Sequence, residues 1–234
     1  MRGPAALPEE FVGSCIALLV IDMQNAYCHR KGAVALAGTN IQSVRDAIPQ
    51  VGRLVESCRR FGMPVIWTLM EQYADDARKR SRDIPAHVQS RRNTPFCVKG
   101  SWDAELIKEL RPLLIERDHV IRKQEYSAFY NTNLEVLLKI SGVSHLVVCG
   151  VATHICVEST IRDAFYRGLE VMLVEDATAC GFPDLYQATL KNTKLWFGHT
   201  ASLSQVQEEL LRERTVPEHR NDVRVARKRR RDSA

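Results

Sequence analysis

Hydrophobic residues in this chain gather into short, nearly continuous runs, separated by longer stretches with helical spacing. The first run is Cys15-Ile-Ala-Leu-Leu-Val-Ile-Asp22. An apolar run without polar alternation reads as a strand covered on both faces, as in a parallel sheet. Pro64-Val-Ile-Trp-Thr68 is the second run and His119-Val-Ile-Arg-Lys123 a shorter third. His145-Leu-Val-Val-Cys-Gly150 and Glu170-Val-Met-Leu-Val-Glu175 are the fourth and fifth. Ile41, Val44, Ile48, Val51 and Leu54 recur every three to four residues and predict an amphipathic helix over 40–60. Further helices are predicted over 103–110, 132–140 and 154–167, a sixth strand around 195–198, and a terminal helix over 203–213.

Strand alternating with helix implies βαβ units, right-handed crossovers and a mostly parallel sheet. Ligands of such sheets bind at the carboxyl ends of strands, near the point where strand order reverses. Three reactive side chains fall at those ends. Asp22 closes the first strand, Lys123 closes the third, and Cys156 follows the fourth at the start of a helix.

Composition narrows the class. The chain has 234 residues, 45% hydrophobic and 26% charged, which suits one globular α/β domain. It is long enough to bury a core without disulfides or structural metal. A disulfide miniprotein, a fibrous repeat and a membrane-spanning protein are excluded; the apolar stretch at Ile16–Ile21 is far too short to cross a bilayer. The net charge of +5 sits in residues 212–234, with nine Lys/Arg against four Asp/Glu. The other residues carry 24 of each, so composition gives little support for a nucleic-acid-binding domain. The expected organisation is an N-terminal arm over 1–12, one α/β domain over 13–213, and a basic, disordered tail over 214–234. Residues 71–101 include Arg78, Lys79, Arg80, Arg82, Arg91 and Arg92. They read equally as a lid over the active edge and as a solvated excursion.

Seven cysteines occur at irregular spacing without a CxxC pair, which excludes a zinc ribbon or a thioredoxin motif. Cys15 and Cys149 read as small core residues. Reduced thiols and the absence of an apolar leader lead us to expect a cytoplasmic protein. The histidines form no ligand-spaced cluster, and no GxGxxG or GxxxxGK[ST] cradle is present.

The three strand-end groups suit nucleophilic acyl chemistry. A thiol at a helix N-terminus beside a cation is expected to ionise below its usual pKa. Lys123 is the candidate cation and Asp22 the candidate proton carrier. The thiolate would attack a carbonyl carbon, and backbone N–H groups of the 152–156 loop would stabilise the oxyanion. Taken singly, a helical cysteine is more often structural, a strand-end Asp more often caps a helix, and a strand-end Lys is more often solvated. Together, at three carboxyl ends of one sheet, they favour function.

Leu18-Leu-Val-Ile-Asp-Met-Gln-Asn25, Lys123, Gly150-Val-Ala-Thr-His-Ile-Cys-Val-Glu-Ser-Thr-Ile-Arg-Asp-Ala164 and Val171-Met-Leu-Val-Glu-Asp-Ala-Thr178 resemble the isochorismatase-like cysteine hydrolases. The resemblance spans residues 14–200. It implies a three-layer α/β/α sandwich around a central, mostly parallel six-stranded sheet. It also implies an Asp22–Lys123–Cys156 triad that hydrolyses amides. A cis peptide at Val151–Ala152 is implied, with Ala152 and Cys156 as oxyanion donors. Family members are commonly dimers or tetramers, so self-association is expected.

Lys99-Gly-Ser-Trp-Asp103, Tyr126-Ser-Ala-Phe-Tyr-Asn-Thr-Asn-Leu134 and Cys156-Val-Glu-Ser-Thr-Ile-Arg-Asp163 are most similar to the ureidoacrylate and biuret amidohydrolase branch. The N-carbamoylsarcosine amidohydrolases are close relatives. The resemblance therefore implies a small ureido or carbamoyl substrate, cleaved at C–N through a thioester. The nicotinamidase branch places Asp and His metal ligands after the second strand; Trp67-Thr-Leu-Met-Glu-Gln-Tyr73 has no His, so no metal and no cofactor are implied. His154 departs from the branch, which often has Asn there. It either touches substrate or caps the helix.

Other candidates are weaker. Asn25 either orients substrate or caps a turn. Tyr126 and Phe129 either wall the pocket or join the core, and Trp67 and Gln72 are candidate pocket residues. Arg162 and Asp163 are expected either in structural ion pairs or in an inter-subunit contact, and Glu158 as a buried tie to a neighbouring loop.

Overall fold

The structure, a computed structural model, describes residues 15–73 and 96–215. The expected N-terminal arm, most of the basic excursion at 71–101 and the basic tail lie outside the described residues.

Six parallel strands form one sheet: β1 (Ile16–Ile21), β2 (Val65–Met70), β3 (His119–Lys123), β4 (His145–Val151), β5 (Glu170–Ala179) and β6 (His199–Ala201). Their order across the sheet is β3-β2-β1-β4-β5-β6. Chain order reverses between β1 and β4, where Ile21 pairs with Gly150. The expected parallel, six-stranded, three-layer α/β/α architecture is the one observed.

Strand parity builds the two cores. Leu18 and Val20 of β1 enter one cluster with Val147 and Cys149 of β4 and Met172 and Val174 of β5. α3 (Gln42–Arg60) covers that face through Val44, Ile48, Val51 and Leu54, and α7 (Leu203–Thr215) adds Val206 and Leu210. Ala17, Leu19 and Ile21 face the other way, with Leu146, Val148 and Leu173. α4 (Leu134–Ile140) and α5 (Glu158–Phe165) close that side through Leu138, Ile161 and Ala164. Each fully buried aliphatic side chain contributes about 1.5–3 kcal/mol. The short α1 (Asn25–Cys28) and α2 (Ala33–Leu36), and α6 (Pro183–Asn192), complete the helices of the described residues.

Some expectations need correction. No α-helix forms over 103–110: a 3-10 turn spans Trp102–Ala104, and Leu106 bridges Gln24 in antiparallel fashion. The apolar spacing there is real, since Leu106, Ile107 and Leu110 are buried. The backbone groups, however, go to the β1 exit, with Asn25 N–H donating to Glu105 O and Ile107 N–H to Met23 O. The sixth strand lies at 199–201 rather than 195–198, where a π-helical turn (Thr193–Phe197) sits instead. The helix expected over 154–167 begins as a π-helical turn (Thr153–Val157) before α5. Cys15 is exposed rather than core.

Gly150 lets β4 lie against β1 at the switch point. Its φ is +110°, and a Cβ there would sit 2.1 Å from the Ile21 carbonyl oxygen. Gly150→Ala is expected to cost about 3 kcal/mol or more through overpacking and left-handed strain. Thermal denaturation checks it, and an unchanged Tm would contradict this account of the switch point.

The buried thiols predict alkaline sensitivity. Burial, the largest cause at each, pushes Cys28, Cys97 and Cys149 far up and Cys58 and Cys156 up to about 12. In the unfolded chain they ionise near their ordinary value of about 8.5. Above that pH the unfolded chain binds fewer protons than the folded one, so stability falls as pH rises towards the folded-state values. Each thiol contributes a slope of about 1.4 kcal/mol per pH unit. The urea midpoint is expected to hold at pH 7–8 and to drop steeply above about pH 9. Cys149→Val should make that drop shallower; a midpoint flat into the strongly alkaline range would refute the argument.

Candidate active site

The carboxyl ends of β1, β3 and β4 bring the three sequence candidates together. Asp22 directly follows β1 with φ +50°, a left-handed conformation that costs a non-glycine residue about 1–3 kcal/mol. Its own N–H donates to Thr68 O at 3.1 Å, which ties the strained residue to β2. The Thr68 hydroxyl donates to Asp22 Oδ1 at 2.6 Å.

Lys123 ends β3, and its ammonium reaches Asp22 Oδ2 at 2.6 Å with both side chains fully buried. The same ammonium donates to Glu125 O and Tyr126 O, each at 3.1 Å. Burial pulls the pKa of Lys123 down, but Asp22 and then Cys156 outweigh it, and the net direction is up.

The Cys156 thiol lies within electrostatic reach of both Asp22 and Lys123. It is 5% exposed and sits in the π-helical turn after β4. The Val151–Ala152 peptide before it is cis, as the resemblance implies.

One expectation about the thiol is reversed. Its pKa is raised, to about 12, rather than lowered. Burial is the largest cause; Lys123 pulls down and Asp22 pushes back up. The cation that the sequence places near the thiol is present, but burial outweighs its pull.

The remaining candidates separate. Trp67 is not brought to the cluster: β2 parity turns it into the α3-side core, where its indole N–H donates to Asp118 Oδ2 at 3.0 Å. Its neighbour Thr68 faces Asp22 instead. The Asn25 amide donates to Trp102 O at 2.8 Å, a bond that holds a turn. Phe129 is buried in the second core with the Arg167 guanidinium 4.7 Å above its ring. Tyr126 contributes its carbonyl to Lys123, while its ring is exposed. Gln72 lies past the end of β2, its backbone bridged to Val98. His154 is half-buried with its ring edge-on to Phe182 at 5.5 Å. Burial lowers its pKa against the opposing pull of Glu158 and Asp184.

The expected ties around the turn are present. Arg162 pairs with Glu158 and Arg167 with Asp163. Glu158 also accepts from Thr189 and Asn192, joining α5 to α6. Among the described residues no group of three or more His, Cys, Asp or Glu is placed to hold a metal, and no helix is long and apolar enough to cross a membrane.

The isochorismatase domain model matches residues 16–205, which is most of the chain. The chain belongs to the isochorismatase family. It is 36% identical over 215 residues to the ureidoacrylate amidohydrolase RutB of Pantoea ananatis, covering 86% of this chain and 84% of the relative. A cysteine hydrolase from Pseudomonas syringae pv. phaseolicola superposes with a TM-score of 0.74 at 25% identity, covering 85% of this chain and 93% of that one. The N-carbamoylsarcosine amidase of Thermoplasma acidophilum gives 0.65 at 27% identity, covering 80% and 96%.

This isochorismatase-family site includes residues that sequence reasoning missed. Gln24 donates to Met70 O and Ala104 O, each at 2.8 Å, and accepts from Met70 N–H at 2.8 Å. Tyr27 hydrogen-bonds with Cys97 and lies within electrostatic reach of Cys156 and Asp22. Both stand on the stretch just past Asp22, and that adjacency was the signal available. Thr68 and Thr160 gave none, because a single hydroxyl in an apolar run looks like any other.

Proposed function

We propose that the protein is a cysteine-dependent amidohydrolase that cleaves a C–N bond of a small ureido or carbamoyl compound. One observation carries the reading: a buried Asp22–Lys123 ion pair lies against the Cys156 thiol at the strand-order switch point. The similarity to RutB, together with the Gly100-Ser-Trp-Asp103 segment, supports a ureido substrate.

The raised thiol pKa assigns the work to Asp22. As Cys156 Sγ attacks the carbonyl carbon, its proton passes to the Asp22 carboxylate and a tetrahedral oxyanion forms. The N–H groups of Ala152 and Cys156 are the donors we assign to that oxyanion. The intermediate collapses, the C–N bond breaks, and Asp22 returns the proton to the leaving nitrogen. Water then attacks the thioester, Asp22 takes its proton, the C–S bond breaks, and the thiol is restored. Lys123 stays charged, held beside Asp22, and stabilises sulfur while it is negative. Side chains and water account for every proton and bond.

An N-carbamoyl amino acid is the alternative substrate on the same triad, favoured by the likeness to N-carbamoylsarcosine amidase. Ammonia release over ureidoacrylate, biuret, N-carbamoylsarcosine, other carbamoyl amino acids and nicotinamide tests the reading, with Cys156→Ala as control. Where the substituted nitrogen leaves, hydrolysis of the S-carbamoyl intermediate gives carbamate, which breaks down to ammonia, so the assay reads cleavage on either side of the carbonyl. Strong Cys156-dependent release from a ureido compound is expected. Release confined to nicotinamide, or silence from folded protein, would contradict the assignment.

A further inference from the structure

Thr160 lies four residues after Cys156, on the first turn of α5, and is fully buried. Its hydroxyl donates to the Cys156 carbonyl at 2.7 Å and accepts from the Ala128 N–H at 3.0 Å. A bond from a threonine to the carbonyl four residues back is an ordinary local contact. The second bond is not local: it crosses to the loop after β3. That loop carries Glu125 O and Tyr126 O, the two carbonyls on the Lys123 ammonium. The Thr132 hydroxyl fixes Ala128 from its other side, at its carbonyl.

We propose that Thr160 is a positioning residue that sets the Lys123 cradle against the Cys156 turn. The inference rests on the cysteine-hydrolase reading above. One hydroxyl, using its donor and an acceptor position at once, joins the backbone of the nucleophile to the loop that aims the cation. A catalytic group displaced by about 1 Å can lose about 100-fold in rate. Removal of this hydroxyl therefore reaches the chemistry without touching a reacting atom.

Thr160→Val keeps the shape and removes donor and acceptor; Thr160→Ser keeps both. Each is assayed for turnover, for thermal unfolding, and for the pH profile of iodoacetamide capture at Cys156 by peptide mapping. The groups facing that thiol are Asp22, Lys123 and Tyr27. Valine is expected to fold, to lose about 10–100-fold in kcat with KM changed by less than about threefold, and to move the capture profile to higher pH. Serine should return both readouts to near wild type. A folded valine variant with wild-type kcat and capture profile would overturn the proposal, as would a serine variant that fails like valine. If valine does not fold, Thr160→Ala takes its place. Failure of both to fold, beside a normal serine variant, would reduce the hydroxyl to a purely structural role and also overturn it. Cys156→Ala runs alongside: retained turnover there would instead sink the cysteine reading itself.

Discussion

Cys156→Ala is expected to abolish amide turnover, by about 10⁴-fold or more, while the protein stays folded. Loss of the sulfur removes the only protein atom in the proposed sequence that bonds to substrate carbon. Asp22 and Lys123 keep each other, because their 2.6 Å ion pair does not depend on the thiol. Thr68, Glu125 and Tyr126 keep their bonds to the pair as well. The stability cost is then that of a small cavity in the second core, about 1–2 kcal/mol. Steady-state assay with a urea melt separates the two effects. A folded variant with wild-type rate would end the cysteine mechanism.

Breaking the Asp22–Lys123 pair should damage both stability and activity. Both side chains are fully buried. Asp22→Asn leaves a buried ammonium facing two carbonyls and an amide; Lys123→Met leaves a buried carboxylate with the Thr68 hydroxyl. Removal of one partner of a buried pair costs about 3–5 kcal/mol, since the other charge stays uncompensated. The double variant, Asp22→Asn with Lys123→Met, removes both charges and should be more stable than the sum of the singles predicts. Catalysis should not recover with it. Asp22→Asn removes the base and should lose about 10²–10⁴-fold. Lys123→Met removes the one group of the pair that pulls the Cys156 pKa down, so thiol alkylation should need higher pH. Additive destabilisation across the cycle, or recovered turnover in the double variant, would contradict this picture.

The strands were legible wherever apolar residues ran without interruption. β1 and β4 are buried on both faces, so nothing in them alternates, and the run itself marked them. β5 was read only to Glu175, because Glu175 and Asp176 interrupt the apolar pattern. The strand continues to Ala179, after an irregularity between Val148 and Gly150 that resets its pairing, with Gly150 opposite Thr178. Residues 103–110 had helical spacing, yet long-range bonds from Met23 and Asn25 claimed their backbone groups. Local propensity lost to tertiary pairing.

The three strand-end candidates were legible for a different reason. Asp22, Lys123 and Cys156 stand next to strand ends that the pattern located, so topology alone brought them together. The supporting residues lacked such a marker. Trp67 stands near the end of β2, but parity puts Thr68 on the side of Asp22. The sign of the thiol shift is not legible because the sequence places a cation near Cys156 without revealing how deeply the thiol is buried, and burial is the largest cause of the shift.

The central claim is that substrate carbon becomes bonded to Cys156 sulfur. The most direct measurement is acid quench within the first turnovers on the best ureido substrate, followed by peptide mapping. The account predicts an acyl mass on the peptide containing Cys156, a carbamoyl group if the substituted nitrogen leaves and the larger acyl if ammonia leaves. The adduct should be absent in Cys156→Ala and should decay as product forms. Rapid turnover with no adduct on Cys156 at any quench time, or an adduct on another cysteine that decays at the catalytic rate, would contradict it.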